Sequence, residues 1–396
     1  MFYEWKKWWG VPIVKYLCIM ILICPIFSVI HFIHGYETYI VLEDKIVEVS
    51  GYQALKNYVH NKKNESHLLT QKRSDQALYE MQKNWEKDNI YSQMEVKYPG
   101  YFSVLDQAYR SRLYGEKENI MSKKNKGSFY QAVAKRREEK LIIERNGKVD
   151  KEVKDYVINQ GKKIPIPFKM GERDSWIILI KSLYLSFLIL SFICIVFGAV
   201  VFSLDKEQKM DLVLYNTKEA IKRLRKIKIQ LFLLVQMISV VYIVVICSSI
   251  LFLIGGLREE ISIQVLPYFL TSIYPWNMRK FMMVYLLIAT LGMLTFTYFT
   301  SVISDIFKNY ISSILVGIML PCLFIFLKSK SGLPVILEKL ISVSYITSID
   351  CIPLATKLNP ISVMGIKLNL IEWNMFANIT LLFIFYMIYK KIYKLR

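Results

Sequence analysis

Ser182–Leu204 reads SLYLSFLILSFICIVFGAVVFSL, without one Asp, Glu, Lys or Arg. A helix rises ~1.5 Å per residue, so about 20 such residues cross a hydrocarbon core of ~30 Å. Lipid offers no partner to a backbone amide, so a segment of this kind must be helical. Five more uncharged runs lie outward from it: Tyr16–Tyr36, Ile229–Leu257, Phe281–Ser304, Asn309–Leu327 and Trp373–Tyr389. The alternation of a membrane barrel is absent. The pattern predicts an all-α integral membrane protein of six transmembrane helices, with a large, mostly helical extracellular domain between the first and second.

The chain of 396 residues is 54% hydrophobic and 21% charged. Both values hold at once because the charges are segregated from the apolar runs. A net charge of +20 can signal nucleic-acid binding. Here the positives flank the spans, which argues for membrane topology and anionic lipid and against nucleic acid. The six cysteines carry no C-x-x-C spacing, and none falls between Cys24 and Cys194. They read as small apolar side chains of packed helices.

Lys and Arg in short loops set orientation. With the N-terminus inside, Lys6, Lys7, the basic run of Asp205–Lys228, Lys308 and the tail Lys390, Lys391, Lys394 and Arg396 all fall inside. The short outer loops carry fewer cations over a longer stretch, although Arg279 and Lys280 run against the rule. Trp5, Trp8, Trp9, Trp176, Trp276 and Trp373 stand at span boundaries, where a ring with one wet N–H is favoured. The first run is longer than a signal-peptide core and no small-x-small site follows it, so it reads as a span.

These boundaries divide the chain into a cytoplasmic N-terminus (1–10), a first helix (11–36), the extracellular domain (37–174) and a second helix (175–204). Cytoplasmic coupling helices (205–228) lead to a third helix (229–257), an outer loop (258–280) and a fourth helix (281–304). A fifth helix (309–328), an outer loop able to re-enter the membrane (329–372), a sixth helix (373–390) and a cytoplasmic tail (391–396) complete it. Both termini lie in the cytoplasm of a plasma-membrane protein.

In the polar domain, Leu105, Ala108, Tyr109 and Leu113 recur at helical spacing, as do Leu78, Met81 and Trp85. Phe129, Ala132, Val133 and Arg137 follow the same period. Tyr98-Pro99-Gly100 reads as a turn that begins a helix, and Asn146-Gly147 as a turn or small hairpin. The domain is either a solvated cap or a gate or partner-binding module. His31 and His34 form H-x-x-H, but a metal needs further ligands at fixed distance.

The segment Phe202–Lys228, FSLDKEQKMDLVLYNTKEAIKRLRKIK, is the most informative. Met210, Val213, Leu214, Thr217, Ile221 and Leu224 fall on one helical stripe. Asn216 or Thr217 can cap a new helix, with Glu219 three residues after Asn216. Two short helices with a joint near Tyr215–Thr217 follow. An interfacial amphipathic helix that only orients the spans is the plainer reading. In the third span Gln230, Gln236 and Ser239 mark either interhelical packing or a cargo path.

The layout resembles ABC exporter permeases of the second type, as found in many Gram-positive bacteria. That family places a large outer loop after its first span. After the second comes a cytoplasmic segment with an acidic residue, a Met or Thr, a Leu pair, Thr-Lys and a basic cluster. Asp205, Met210, Leu212, Leu214, Thr217, Lys218, Arg223 and Lys228 stand in those places. Ile164-Pro165-Ile166-Pro167-Phe168 and Trp176 before the second span are similar too. Lys209 and Glu219-Ala220 replace the family's Gly and Gly-Arg.

The resemblance implies that the cytoplasmic segment docks in a groove on a separate ABC ATPase subunit. The partner would bind ATP-Mg, and a second permease copy or a paralogous permease would complete the transporter. Its cargo would be an unidentified peptide, lipid or drug. The chain lacks G-x-x-x-x-G-K-S/T, H-E-x-x-H and G-x-S-x-G, so no catalytic, cofactor or metal residue is expected in it. A membrane sensor or regulator whose outer domain binds a ligand or protein is the alternative, and a membrane enzyme is a third.

Overall fold

The computed structural model describes residues 2–42, 45–62, 68–84, 90–109, 128–145, 147, 149–207, 218–307, 309–328, 337, 340–342, 344–358, 360–363 and 366–392. A short helix α1 (Phe2–Trp9) leads into α2 (Pro12–His34), whose Pro12 stands in the first turn, where its missing N–H costs nothing. A hairpin of β1 (Glu37–Leu42) and β2 (Lys45–Ser50) follows, with Ile40 opposite Val47. Then come α3 (Gly51–Lys62), β3 (Leu68–Leu69), α4 (Gln71–Lys83), α5 (Ile90–Lys97), α6 (Tyr101–Tyr109), α7 (Phe129–Glu144) and α8 (Lys151–Lys162). Strand β4 (Phe168–Lys169) pairs antiparallel with β3 and closes the polar domain.

The rest is α9 (Arg173–Glu207), α10 (Lys218–Leu253), α11 (Met278–Ile306), α12 (Tyr310–Lys328), α13 (Tyr345–Ile349), α14 (Cys351–Thr356), β5 (Ile361–Val363), β6 (Ile366–Leu368) and α15 (Leu370–Ile392). Six of these helices are long and apolar enough to cross a membrane: α2, α9, α10, α11, α12 and α15. Each contains one of the six uncharged runs or most of it. The second span is the axis of the bundle: α9 packs on α2, α10, α11 and α12, while α15 packs on α11. The outward faces of the spans remain apolar, with Ile23, Phe27, Leu315 and Phe383 exposed. A soluble protein would bury such faces, and a bilayer covers them.

Among the described residues, three short antiparallel strand pairs accompany the helices, in keeping with a mostly helical protein. The hairpin draws on Thr38, Tyr39, Ile40 and Val41 against Ile46, Val47 and Val49, the β-branched and aromatic types that suit strands. Among the described residues the regular structure of the domain is otherwise helical. Leu78 and Met81 lie on α4, Leu105 and Ala108 on α6, and Val133 and Arg137 on α7; all are buried. Trp85 and Leu113 lie outside the described residues. Ser128 caps α7 in a capping box with Gln131.

Gly100 follows Tyr98-Pro99 and starts α6 with φ +75°, a left-handed conformation that glycine adopts without a Cβ clash. Gly147 ends α7 instead of turning a hairpin: its N–H donates to Ile142 O at 2.9 Å, and α8 follows.

Chain parity is visible in the contacts. The polar domain, the 258–277 connection and the segment between α12 and α15 meet at one end of the bundle. Ser262 N–H donates to Lys169 O at 3.0 Å, and Leu358 N–H to Glu144 Oε2 at 2.9 Å. The far ends of α9 and α11 lie at the opposite end, together with the start of α10.

Candidate functional site

The expected pair of short helices in 205–228 is not what the described part forms. Asp205 sits in the last turn of α9, and Lys218 opens α10, which then runs unbroken into the third span. Met210, Leu212, Leu214 and Thr217 lie outside the described residues. The continuity has a sequence cause. No glycine or proline interrupts Lys218–Leu253, and its Lys, Arg, Glu and Leu are good helix formers. Its 36 residues extend ~54 Å, beyond the ~30 Å that a bilayer core occupies.

The projecting, basic end of α10 is tied down at its base. Arg225 Nη2 lies 3.5 Å from Asp305 Oδ1, with side chains 11% and 4% exposed. Lys228 Nζ donates to Val201 O at 2.9 Å and is buried. The helix is thus fastened to the ends of both α9 and α11. Ser304 and Ser313 join their hydroxyls at 2.7 Å, bringing in α12. At the same end, Trp8 of α1 lies buried with its ring edge-on to Phe197, so this tryptophan is a core residue as well as a boundary one.

A second feature lies at the middle of the bundle. Within the segment 344–356, α13 packs against α9, α11 and α12. Tyr345 stacks on Phe296 with ring centroids 3.9 Å apart, and Tyr285 OH donates to Ile349 O at 2.7 Å. Gly292 of α11 admits Ser348; a Cβ there would stand 2.5 Å from the Ser348 Cβ. Ser348 Oγ donates to Asn374 Oδ1, and Asn378 Nδ2 reaches both Asn374 and Ser348. The segment is helical apart from its caps Ser344 and Asp350, whose side chains accept from the Thr347 and Ile352 N–H groups.

The polar domain is clasped to the first two spans. Arg173 donates from Nε to Asp174 Oδ1 at 2.9 Å and from Nη1 to Gly100 O at 2.8 Å and Ser103 Oγ at 2.7 Å. Tyr36 OH donates to Asp174 Oδ2 at 2.8 Å. Burial, reinforced by the Asp174 carboxylate, holds the Tyr36 and Tyr58 phenols well above their ordinary pKa. Beside this clasp is a cavity of about 630 Å³ lined by Tyr36, Glu37, Glu95, Arg173, Asp174 and Lys181 among others. Farther out, Arg137 Nε donates to Thr271 O at 3.2 Å, and burial pushes its guanidinium down to about 10.

The residues singled out in the third span are not brought together. Gln236 and Ser239 are buried inside the bundle, where Cys194 Sγ donates to Gln236 Oε1 and Ser239 Oγ donates to Val235 O. Gln230 is exposed on the other side of the helix, as is Arg223 near its start. Among the described residues no cluster of three or more His, Cys, Asp or Glu can hold a metal ion. Sequence reading missed the Arg225–Asp305 pair, the Arg173–Asp174–Tyr36 clasp and the Ser348–Asn374–Asn378 cluster. Asp305 had one local signal, a lone carboxylate directly after an uncharged run.

The fold and these features define a predominantly helical membrane protein whose folded polar domain sits at one end of a six-helix bundle. No protein-family model matches the chain, and no curated protein or solved structure matches it either.

Proposed function

We propose that this chain is the membrane-spanning subunit of an ATP-binding-cassette exporter, driven by a separate ATPase on the cytoplasmic side. The observation that carries the reading is α10, one stiff helix whose cationic end projects beyond the apolar span and whose base is pinned by Arg225–Asp305 and Lys228–Val201. A push on that end reaches α9 and α11 directly. The charge asymmetry of the loops supports placing it in the cytoplasm, with both termini, and the polar domain outside a plasma membrane. Around the described lever, the resemblance assigns ATPase contact to Asp205, Met210, Leu212, Leu214, Thr217, Lys218 and Arg223.

In this reading ATP-Mg is bound by the partner, and its closure is transmitted only insofar as it favours one arrangement of the spans over another. The segment 344–356 and the clasp at Arg173 are the elements that would carry the change to the outer end. A second copy or a paralogous permease completes the transporter, and the cargo is a peptide, lipid or drug. Isolation of the complex from its membrane tests this: an ATPase subunit is expected.

A membrane sensor or regulator is the second reading, and the cavity beside the clasp favours it. A ligand there would touch the polar domain and both first spans at once. A kinase or protease recovered in place of an ATPase would select that reading.

A further inference from the structure

Between the second, third and fourth spans, at the polar-domain end, lies a groove of about 580 Å³. Trp176 and Leu183 form one wall, Val244 and Phe252 the next, and Met282 and Leu286 the third. The volume falls within the roughly 300–1,000 Å³ of ordinary ligand sites. The walls are almost wholly apolar, and methionine adapts its shape to flexible guests. Trp176 is held in place through Nε1, which donates to Glu259 O at 3.4 Å.

One strong cation lines this apolar slot. Arg279 stands at its end, with Nη2 donating to the Arg258 carbonyl at 2.7 Å. Among the described residues no carboxylate lies within ion-pair distance of Arg279. The acids nearby are engaged elsewhere: Glu260 with Lys169 at 3.3 Å and with Asn277, and Glu172 with the Arg258 N–H at 3.0 Å. Lys280, the next residue, lies over the Trp276 ring and adds a second positive charge at the same level. These are the two cations that oppose the loop-charge rule.

We propose that the groove seats an anionic phospholipid drawn from the bilayer, one acyl chain between the three spans and the phosphate on Arg279. An apolar trough ending in a guanidinium matches an amphiphile whose chain ends in an anion, and guanidinium and phosphate pair through two parallel hydrogen bonds. The inference holds whether or not the protein is an exporter.

Native mass spectrometry of the full chain tests it, using equal amounts of phosphatidylglycerol and phosphatidylcholine with identical acyl chains. The unmodified protein is expected to retain phosphatidylglycerol about tenfold over phosphatidylcholine. Arg279→Gln should bring that ratio close to one, and Ser249→Trp, which fills the groove, should remove the retained lipid. Lys15→Gln, at the far end of the first span, should change neither. The proposal is overturned by a ratio near one in the unmodified protein, by unchanged retention in both groove variants, or by an equal loss in Lys15→Gln. It is overturned too if Ser249→Trp splits a dimer and leaves lipid retention intact.

Discussion

Arg225 and Asp305, 80 residues apart in the chain, meet in a largely buried ion pair of 3.5 Å at the end of the bundle away from the polar domain. The contact fastens the basic start of α10 to the last turn of α11. With the Lys228–Val201 contact it makes one mechanical unit of the ends of three spans.

Removing one partner leaves the other charge buried, which costs about 3–5 kcal/mol. Asp305→Asn and Arg225→Met are each expected to lower the thermal unfolding midpoint of the purified protein and, under the proposed exporter function, to reduce ATP-driven transport. The swapped protein, Arg225→Asp with Asp305→Arg, should recover part of the stability. Thermal unfolding of the four proteins decides it; a swap no better than the worse single change would mean that the pair does not couple.

The clasp gives a second test. Alanine at Gly100 meets two costs: a left-handed backbone, roughly 1–2 kcal/mol, and a Cβ 2.8 Å from the Arg173 guanidinium carbon. Gly100→Ala should therefore destabilise by more than the backbone cost alone. Proteolysis of the polar domain in the otherwise intact protein should accelerate, because the guanidinium that holds α6 to α9 is displaced.

Glu172 predicts a pH effect. Burial raises its carboxyl, against the opposing Arg258 N–H bond, so the folded state holds this proton more tightly than the unfolded chain does. A group of this kind makes stability fall as pH rises from the unfolded glutamate value of about 4.3 through the raised folded value. Glu172→Gln keeps the acceptor for Arg258 but cannot ionise. Over that interval the melting temperature of the variant, relative to the parent, should climb with pH; a constant difference would contradict the assignment.

Much of the architecture was legible because apolar length is a local signal. Ser182–Leu204 and its five counterparts needed no tertiary information, and the turn at Tyr98-Pro99-Gly100 announced itself by residue type. The continuity of α10 with the third span was missed for a physical reason: composition changes at Ile229, but backbone hydrogen bonding does not stop where charge begins. The hairpin of β1 and β2 was missed because six residues beside a span end offer too short a period to read. Arg225 and Asp305 are joined only by the fold, and no spacing within the sequence links them. Arg279 and Lys280 stood out by breaking a rule, but the groove that gives Arg279 a use is formed by three separate helices.

Orientation can be read directly. Tyr79 is 63% exposed on the polar domain. Cysteine placed there should react, above the background of the parent protein, with an impermeant thiol reagent added to intact cells. Protection until the membrane is opened would invert the topology and place α10 on the wrong side for an intracellular ATPase.

The most direct measurement of the central claim is affinity isolation of the full chain from its native membrane, with and without Leu212→Asp and Leu214→Asp. The account predicts an ATPase subunit recovered with the unmodified protein and lost with the variant, while both proteins remain in the membrane fraction. Equal recovery of the ATPase with both, or none with the unmodified protein, would contradict it.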